Sequence, residues 1–297
     1  MTLAAFALQP GHGIAVLYPE IGEPYRSVFA KIIEGVEEQA RGRVTSIAIG
    51  PGTNTQDLAA DLRRQETRVV IALGRNGLKA ASGLDRDMGV VAGGVLSVPE
   101  AEGRNIPVHS LAPDPALLFA RLQALVPNVR RVLVVYNPGQ NGWLIRMARE
   151  AAGARGLELV AYDAPDLRTA LKNYQDIFAA IDPKRDALWL LQDSVAAEET
   201  TVLPLVLQET WSRNVALFSS NVAHVRRGAL FALYPNNAEI GRHLGSAALA
   251  YLAAGSHATR GVTPLRAVLL AVNIRTAGHL GLNLPARQGI DLVFPEQ

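Results

Sequence analysis

The 297-residue chain contains no cysteine. That excludes disulfides, thiolate nucleophiles and cysteine-ligated metals, and it fits the cytoplasm and the periplasm equally. No apolar run approaches the ~20 residues of a membrane-spanning helix. Charge of one sign is also scarce. The formal net charge is +2, with 29 Lys and Arg against 27 Asp and Glu. No Lys/Arg run stands out, so nucleic acid is not expected as a partner. Signature loops are missing too. Gly11-His-Gly13 and Gly50-Pro-Gly52 make neither a G-x-G-x-x-G fingerprint nor a Walker loop, which argues against a nucleotide cofactor. Without a G-x-S-x-G elbow, Ser219-Ser220 is no hydrolase nucleophile. The six histidines, His12, His109, His224, His243, His257 and His279, never fall at metal-ligand spacing such as H-x₃-H. No catalytic residue, metal or cofactor is therefore expected.

What is present is apolar and periodic. Hydrophobic residues make up 49% of the chain, enough for buried cores. The length suits two lobes of roughly 100–150 residues each. Strand-length apolar runs alternate with segments of helical period. In the first half, strands are expected over Gly13–Pro19, Val44–Ile49, Val69–Leu73 and Val90–Ser97. Helices are expected over Tyr25–Ala40, Thr55–Gln65 and Gly77–Ser82. Ala112-Pro-Asp-Pro115 breaks the series, and a helix runs from there to Leu125. In the second half, strands are expected over Arg131–Tyr136, Glu158–Tyr162, Ala187–Leu191 and Val215–Ser219. The helices between them are Trp143–Arg155, Leu167–Ala180 and Ala196–Glu209.

Strands this apolar are buried on both faces, as in parallel sheets between helix layers. The expected architecture is α/β, with two doubly wound parallel-sheet lobes joined by a multi-crossover hinge. Residues 8–110 with 230–263 form one lobe in this reading, and 111–229 with 264–297 the other. Crossovers are expected near His109–Asp114, Arg227–Tyr234 and Val262–Ala267. The C-terminal quarter, from Val215 through Gly228–Pro235 and Gly241–Gly245 to Pro285, reads as a chain returning for its second crossing.

Ligands of such sheets bind beyond the carboxyl ends of the strands. That rule selects Tyr18, Glu20, Arg75 and Asn76 in the first half. In the second it selects Asn137, Asn141, Trp143, Asp193, Ser219 and Asn221, with Tyr234 on the strand that crosses back. Asp193 would accept hydrogen bonds from a ligand ammonium, or else cap the helix expected near Ala196. Tyr18, Trp143 and Tyr234 would wall an apolar ligand part, or simply pack at lobe edges. Glu20 and Arg75 would hold opposite ends of a zwitterion, or pair with each other. Asn137, Asn141, Ser219 and Asn221 are polar contacts or ordinary turn residues.

The strand-end segments resemble the ABC-transporter substrate-binding family, whose characterised members look like type I periplasmic binding proteins and bind aromatic amino acids. The resemblance is carried by Val69 to Ala80, by Leu125-Val-Pro-Asn-Val-Arg-Arg-Val-Leu-Val-Val-Tyr-Asn-Pro138, and by Ala148 to Leu157. Ala187-Leu-Trp-Leu-Leu-Gln-Asp-Ser-Val195, Gly228-Ala-Leu230 and Ala271 to Pro285 complete it. Two departures stand out: Gly103 to Leu111 lacks the family's Pro-Gly-Asn hinge, and Leu17 to Arg26 replaces its usual Gln- and His-bearing loop. The resemblance implies a periplasmic solute-binding protein that closes around a small polar, amino-acid-like ligand and works with a membrane permease or a sensor. Each lobe would hold half of the site, and the ligand would favour closure through contacts made better in that state. A cytoplasmic doubly wound enzyme acting on a small metabolite is the alternative. Ala5-Phe6-Ala7 has the form of a secretory cleavage site without its charged and apolar regions, so a mature form from near Leu8 is expected.

Overall fold

The computed structural model describes residues 13–42, 44–85, 87–98, 106–256, 260–284 and 289–295. The Ala5–Ala7 cleavage pattern and the expected start near Leu8 lie outside these residues. The chain divides into two compact units. Unit 1 comprises Met1–Leu111 and Asn236–Ala267, and unit 2 comprises Ala112–Pro235 and Val268–Gln297.

Unit 1 holds a six-stranded sheet ordered β11-β5-β4-β3-β1-β2. Its strands are β1 (Ile14–Pro19), β2 (Thr45–Ile49), β3 (Val69–Leu73), β4 (Gly89–Val95), β5 (Pro107–Pro113) and β11 (Gly261–Leu265). The pairs β1–β2, β1–β3, β3–β4 and β4–β5 are all parallel. All five residues of β3 are buried, as a central strand between helix layers requires. The helices are α1 (Tyr25–Ala40), α2 (Thr55–Arg64), α3 (Gly74–Ala81) and α9 (Asn237–Ala254). α1 and α9 meet through glycines. A methyl at Gly241 would collide with the Ile32 carbonyl oxygen, and one at Gly35 with that of Ala238. The helices therefore touch backbone to backbone.

Unit 2 holds a seven-stranded sheet ordered β13-β12-β10-β9-β8-β6-β7. Its strands are β6 (Arg131–Tyr136), β7 (Glu158–Asp163), β8 (Asp186–Leu190), β9 (Ala216–Ser219), β10 (Phe231–Pro235), β12 (Val268–Asn273) and β13 (Leu292–Phe294). Neighbours are parallel except β10 and β12, which run antiparallel. Its helices are α4 (Pro115–Leu125), α5 (Pro138–Gly153), α6 (Leu167–Ala180), α7 (Val202–Ser212), α8 (Val222–Arg227) and α10 (Ile274–His279). The core centres on Trp189, stacked on Phe218 at 6.1 Å and met edge-on by Phe119 at 5.5 Å. Phe231 stacks on the far side of Phe218 at 5.3 Å.

Several boundaries differ from the sequence reading, each for a local reason. The units change after Leu111, Pro235 and Ala267, where 110, 229 and 263 were expected. The second shift follows from β10, which pairs with β9 and β12 and so stays in the unit 2 sheet. The first change of unit, after Leu111, lies within the expected His109–Asp114 crossover, and the strand β5 that runs into it, paired with β4, is absent from the sequence reading. Helix α5 starts at Pro138 rather than Trp143, because Asn137 caps it by accepting from Gly139 N at 2.9 Å and proline suits the first helical turn. Helix α7 starts at Val202 rather than Ala196. Residues 193–197 form a separate turn, closed by Ala197 N donating to Asp193 O at 3.0 Å.

Candidate functional site

In unit 1 the loops after β1, β2 and β3 carry the selected residues. Tyr18 is half-buried near the end of β1, and Glu20 is exposed just beyond it. Glu20 N donates to Ile49 O at 2.9 Å, tying this loop to the end of β2. The Glu20 carboxylate lies across Gly50, where a methyl would collide with it. Asn54 caps α2, accepting from Gln56 N at 2.8 Å. Gly74 turns the chain from β3 into α3 with φ +67°, a conformation that favours glycine, and a Cβ there would press on the Pro19 ring. Arg75 and Asn76 follow, both exposed, and they diverge. Asn76 lines a groove of about 720 Å³ beside α2, with Thr55, Gln56, Arg63 and Lys79. Arg75 lines another of about 960 Å³, with Leu78, Met88, Val98 and Ile106. In that second groove the polar groups meet an apolar floor.

In unit 2 the ends of β6, β8 and β9 are neighbours in the sheet, and a dense polar network joins the loops after β6 and β8. Asp193 is its centre and is only 5% exposed. Its Oδ2 accepts from Asn137 N at 2.7 Å and from Asn141 Nδ2 at 2.8 Å. Its Oδ1 accepts from Val195 N and Ala196 N, both at 2.9 Å. Gln140 adds a second tie, donating to Ser194 Oγ at 2.7 Å and accepting from Ser194 N at 3.1 Å. From below, Tyr174 donates to Ala196 O at 2.7 Å, and burial raises the pKa of its hydroxyl. The geometry gives Asp193 the capping role, on the 193–197 turn rather than on a helix. Glu198 serves the start of α7 instead, accepting from Thr200 N and Thr201 N. Those bonds, led by the one from the Thr200 hydroxyl, hold its pKa down at about 2.

The remaining selected residues are placed as follows. Ser219 is fully buried at the end of β9, with its Oγ 2.7 Å from His224 Nδ1. Asn221 caps α8 by accepting from Ala223 N at 2.9 Å. Trp143 lies on α5 and packs against the core cluster around Trp189, its Nε1 sealed and without a partner among the described residues. Tyr234 is half-buried in β10 and packs against the opposite core cluster. Its pKa is raised by burial and then by Asp291. The structure thus gathers Asn137, Asn141, Asp193, Ser219 and Asn221 at adjacent strand ends, while Trp143 and Tyr234 serve packing. The sequence reading covers Gln140 and Ser220 within the selected loops without singling them out, and sets His224 aside for lack of metal-ligand spacing. A histidine five residues after a strand-end serine was the available signal.

Comparisons with known proteins agree with this architecture. The profile of the family described as ABC transporter substrate binding protein matches residues 118–287. No curated protein matches the chain. Among solved structures, a ligand-free, open substrate-binding protein with adhesive properties from Clostridium difficile is similar with TM-score 0.68 at 16% identity, covering 96% of this chain and 99% of that one. A conserved domain protein from Vibrio cholerae gives 0.58 at 18% identity, covering 95% and 99%. An ABC domain in complex with L-Trp from Streptococcus pneumonia gives 0.57 at 15% identity, again covering 95% and 99%. At such identities the likeness concerns the fold, which is that of type I periplasmic binding proteins.

Proposed function

The chain belongs to the ABC transporter substrate binding protein family, and from that premise we propose that it captures a small polar solute in the periplasm for a membrane permease or a sensor. A solute-binding role follows from the family. The finer reading is that binding is non-covalent, without turnover, and that amino-acid-like solutes are the first class to test. The L-Trp bound to the pneumococcal relative supports starting there. Within unit 1 the candidate contacts are Tyr18, Glu20, Arg75 and Asn76. Within unit 2 they are Asn137, Asn141 and Asn221, on the edge that Asp193 and Ser219 hold in place.

The observation that carries this reading is the network at the ends of β6 and β8. Asp193 ties their two loops together with two hydrogen bonds and closes its own turn with two more, which fixes a polar edge where parallel sheets receive ligands. Native mass spectrometry of the purified protein, followed by a thermal-shift screen of amino acids and other small metabolites, tests it. A co-purified small molecule or a saturable rise in melting temperature is expected. No bound mass and no shift across the screen would sink the reading. Cell fractionation of the native gene product checks the compartment, and a purely cytoplasmic pool would refute it.

A further inference from the structure

We infer that the unit 2 edge receives an uncharged hydrogen-bonding part of the solute, an amide or hydroxyl group, and that His224 and Ser220 rather than Asp193 read it. The inference rests on the solute-binding reading above and names the chemistry of one part of that site.

Asp193 has no capacity left for a ligand ammonium. An ionised carboxylate offers about four acceptor positions. Here four N–H groups fill them, three from the backbone and one from Asn141. A ligand ammonium would have to evict one of these donors and leave it unpaired in a buried place. Asp193 is therefore a strut between the loops after β6 and β8.

His224 has the opposite character. It is 4% exposed, and its Nδ1 lies 2.7 Å from Ser219 Oγ. Asn221 N donates to the same Oγ at 3.2 Å. Ser219 is fully buried and its hydroxyl hydrogen has no other acceptor among the described residues, so it is assigned to Nδ1, which makes Nδ1 the acceptor and places the imidazole hydrogen on Nε2. Burial, and then the charge of Arg227, push the His224 pKa down to about 4 and keep the ring neutral. Its Nε2 has no hydrogen-bond partner among the described residues. Neither does the hydroxyl of Ser220, itself 4% exposed. The Gln192 side chain, half-buried after β8, likewise has none among them.

The free groups at the ends of β8 and β9 are thus a ring N–H, a hydroxyl and an amide. All are uncharged, and a solute amide or hydroxyl can satisfy them. An ammonium offers no acceptor to the imidazole N–H, and the buried carboxylate of Asp193 is already filled, so it is disfavoured. Of the other acids beyond these strands, Asp163 ends β7 beside Tyr136, whose pKa is raised by burial and then by Asp163. Asp166 caps α6 by accepting from Thr169 N at 2.8 Å, Glu198 accepts at the start of α7, and Glu199 is exposed to solvent.

Backbone NMR of the ¹⁵N-labelled full chain tests this with two minimal probes, acetamide and methylammonium. Acetamide should move the signals of Gln192, Ser220, Asn221 and His224, and methylammonium should leave them in place. His224→Phe should abolish the acetamide response while preserving the rest of the spectrum. If that variant does not fold, Ser220→Ala carries the test, with the response at residues 220–224 reduced. Asp193→Asn should lower the melting temperature yet keep the preference for acetamide. Methylammonium shifts at residues 193–196 that vanish in Asp193→Asn would overturn the inference. So would acetamide moving none of the four signals. The probes need no natural ligand, so failure here is distinguishable from failure of the solute-binding reading, which native mass spectrometry decides.

Discussion

Unit 1 joins two helices by doing without side chains, whereas unit 2 builds its centre from the largest side chains available. Gly35 and Gly241 let α1 and α9 touch through backbone atoms. In unit 2, Trp189, Phe119, Phe218 and Phe231 form a run of stacked and edge-on rings. The two solutions fail in opposite directions. The contact of α1 with α9 has no room for one more methyl, and the core of unit 2 depends on every ring. All three tryptophans, Trp143, Trp189 and Trp211, lie in unit 2. Tryptophan fluorescence therefore follows unit 2 alone, while circular dichroism follows both units.

The largest effect is expected for Trp189→Ala. Removing a fully buried ring costs about 3–5 kcal/mol through lost transfer energy and a residual cavity. The fluorescence of the two remaining tryptophans should lose its folded signal at a much lower denaturant concentration. A dichroic transition should persist near the wild-type midpoint if unit 1 folds by itself. A common shift of both signals would show that the units unfold as one. Gly241→Ala reverses the experiment. Overpacking costs about 1–3 kcal/mol, and here the new methyl meets a backbone carbonyl that cannot rotate away. Dichroism should report the loss while the fluorescence midpoint holds. An unchanged dichroic transition would mean that α1 and α9 can separate at little cost.

Acid should act on both units in the same direction. Burial lowers the pKa of His224 in unit 2 to about 4, from an ordinary 6.5. In unit 1, His109 is also lowered, by burial and then by His243. Between the folded and unfolded values the unfolded chain binds more protons, so stability falls as pH falls. The His224 contribution is complete above about pH 6.5 and is lost on the way down to about 4. In His224→Phe, the fluorescence midpoint should depend less on pH across that window, and the dichroic component from unit 1 should keep its dependence. An unaltered fluorescence profile would show that His224 already ionises in the folded state.

Much of this frame was legible in the sequence. Tyr25–Ala40, Val69–Leu73, Arg131–Tyr136 and Leu167–Ala180 have the expected bounds, because apolar periodicity and burial agree there. The misses occur where a side chain, rather than a period, decides the chain's course. Asp193 turns residues 193–197 on themselves and delays α7 by one and a half turns. Asn137-Pro138 starts α5 early, a cap signal that was present but outweighed by the hydrophobic pattern further on. Pro107–Pro113 joins the sheet as β5, a strand absent from the sequence reading, and only its last two residues overlap the break read at Ala112-Pro-Asp-Pro115. At the candidate site, the strand-end rule finds the right loops without revealing which groups are already engaged. Whether a carboxylate has one partner or four depends on backbone N–H groups up to 56 residues away, and these have no signature in the sequence.

The smallest expected effect comes from comparing one cap in each unit, a neutral one and a charged one. Asn54 caps α2 in unit 1 with a neutral oxygen, accepting from Gln56 N at 2.8 Å. Asp166 caps α6 in unit 2 with a carboxylate, accepting from Thr169 N at 2.8 Å and Thr169 Oγ1 at 3.0 Å. The backbone bond from Thr169, and then the one from its hydroxyl, lower the Asp166 pKa. At neutral pH, Asn54→Ala should cost about 1 kcal/mol, the usual worth of a lost cap. Asp166→Ala should also destabilise its helix there, but a charged cap acts only while ionised. Its contribution is present above the unfolded carboxylate pKa and disappears as pH falls through the lowered folded value. Hydrogen exchange at Gln56 and Thr169 reads the two helix starts separately. The penalty at Gln56 in Asn54→Ala should be the same at neutral and acid pH, while that at Thr169 in Asp166→Ala should vanish in acid. If the Thr169 penalty survives below the carboxylate range, the cap works through the hydroxyl and the shape of the turn. The contrast in charge between the two caps would then carry no energy.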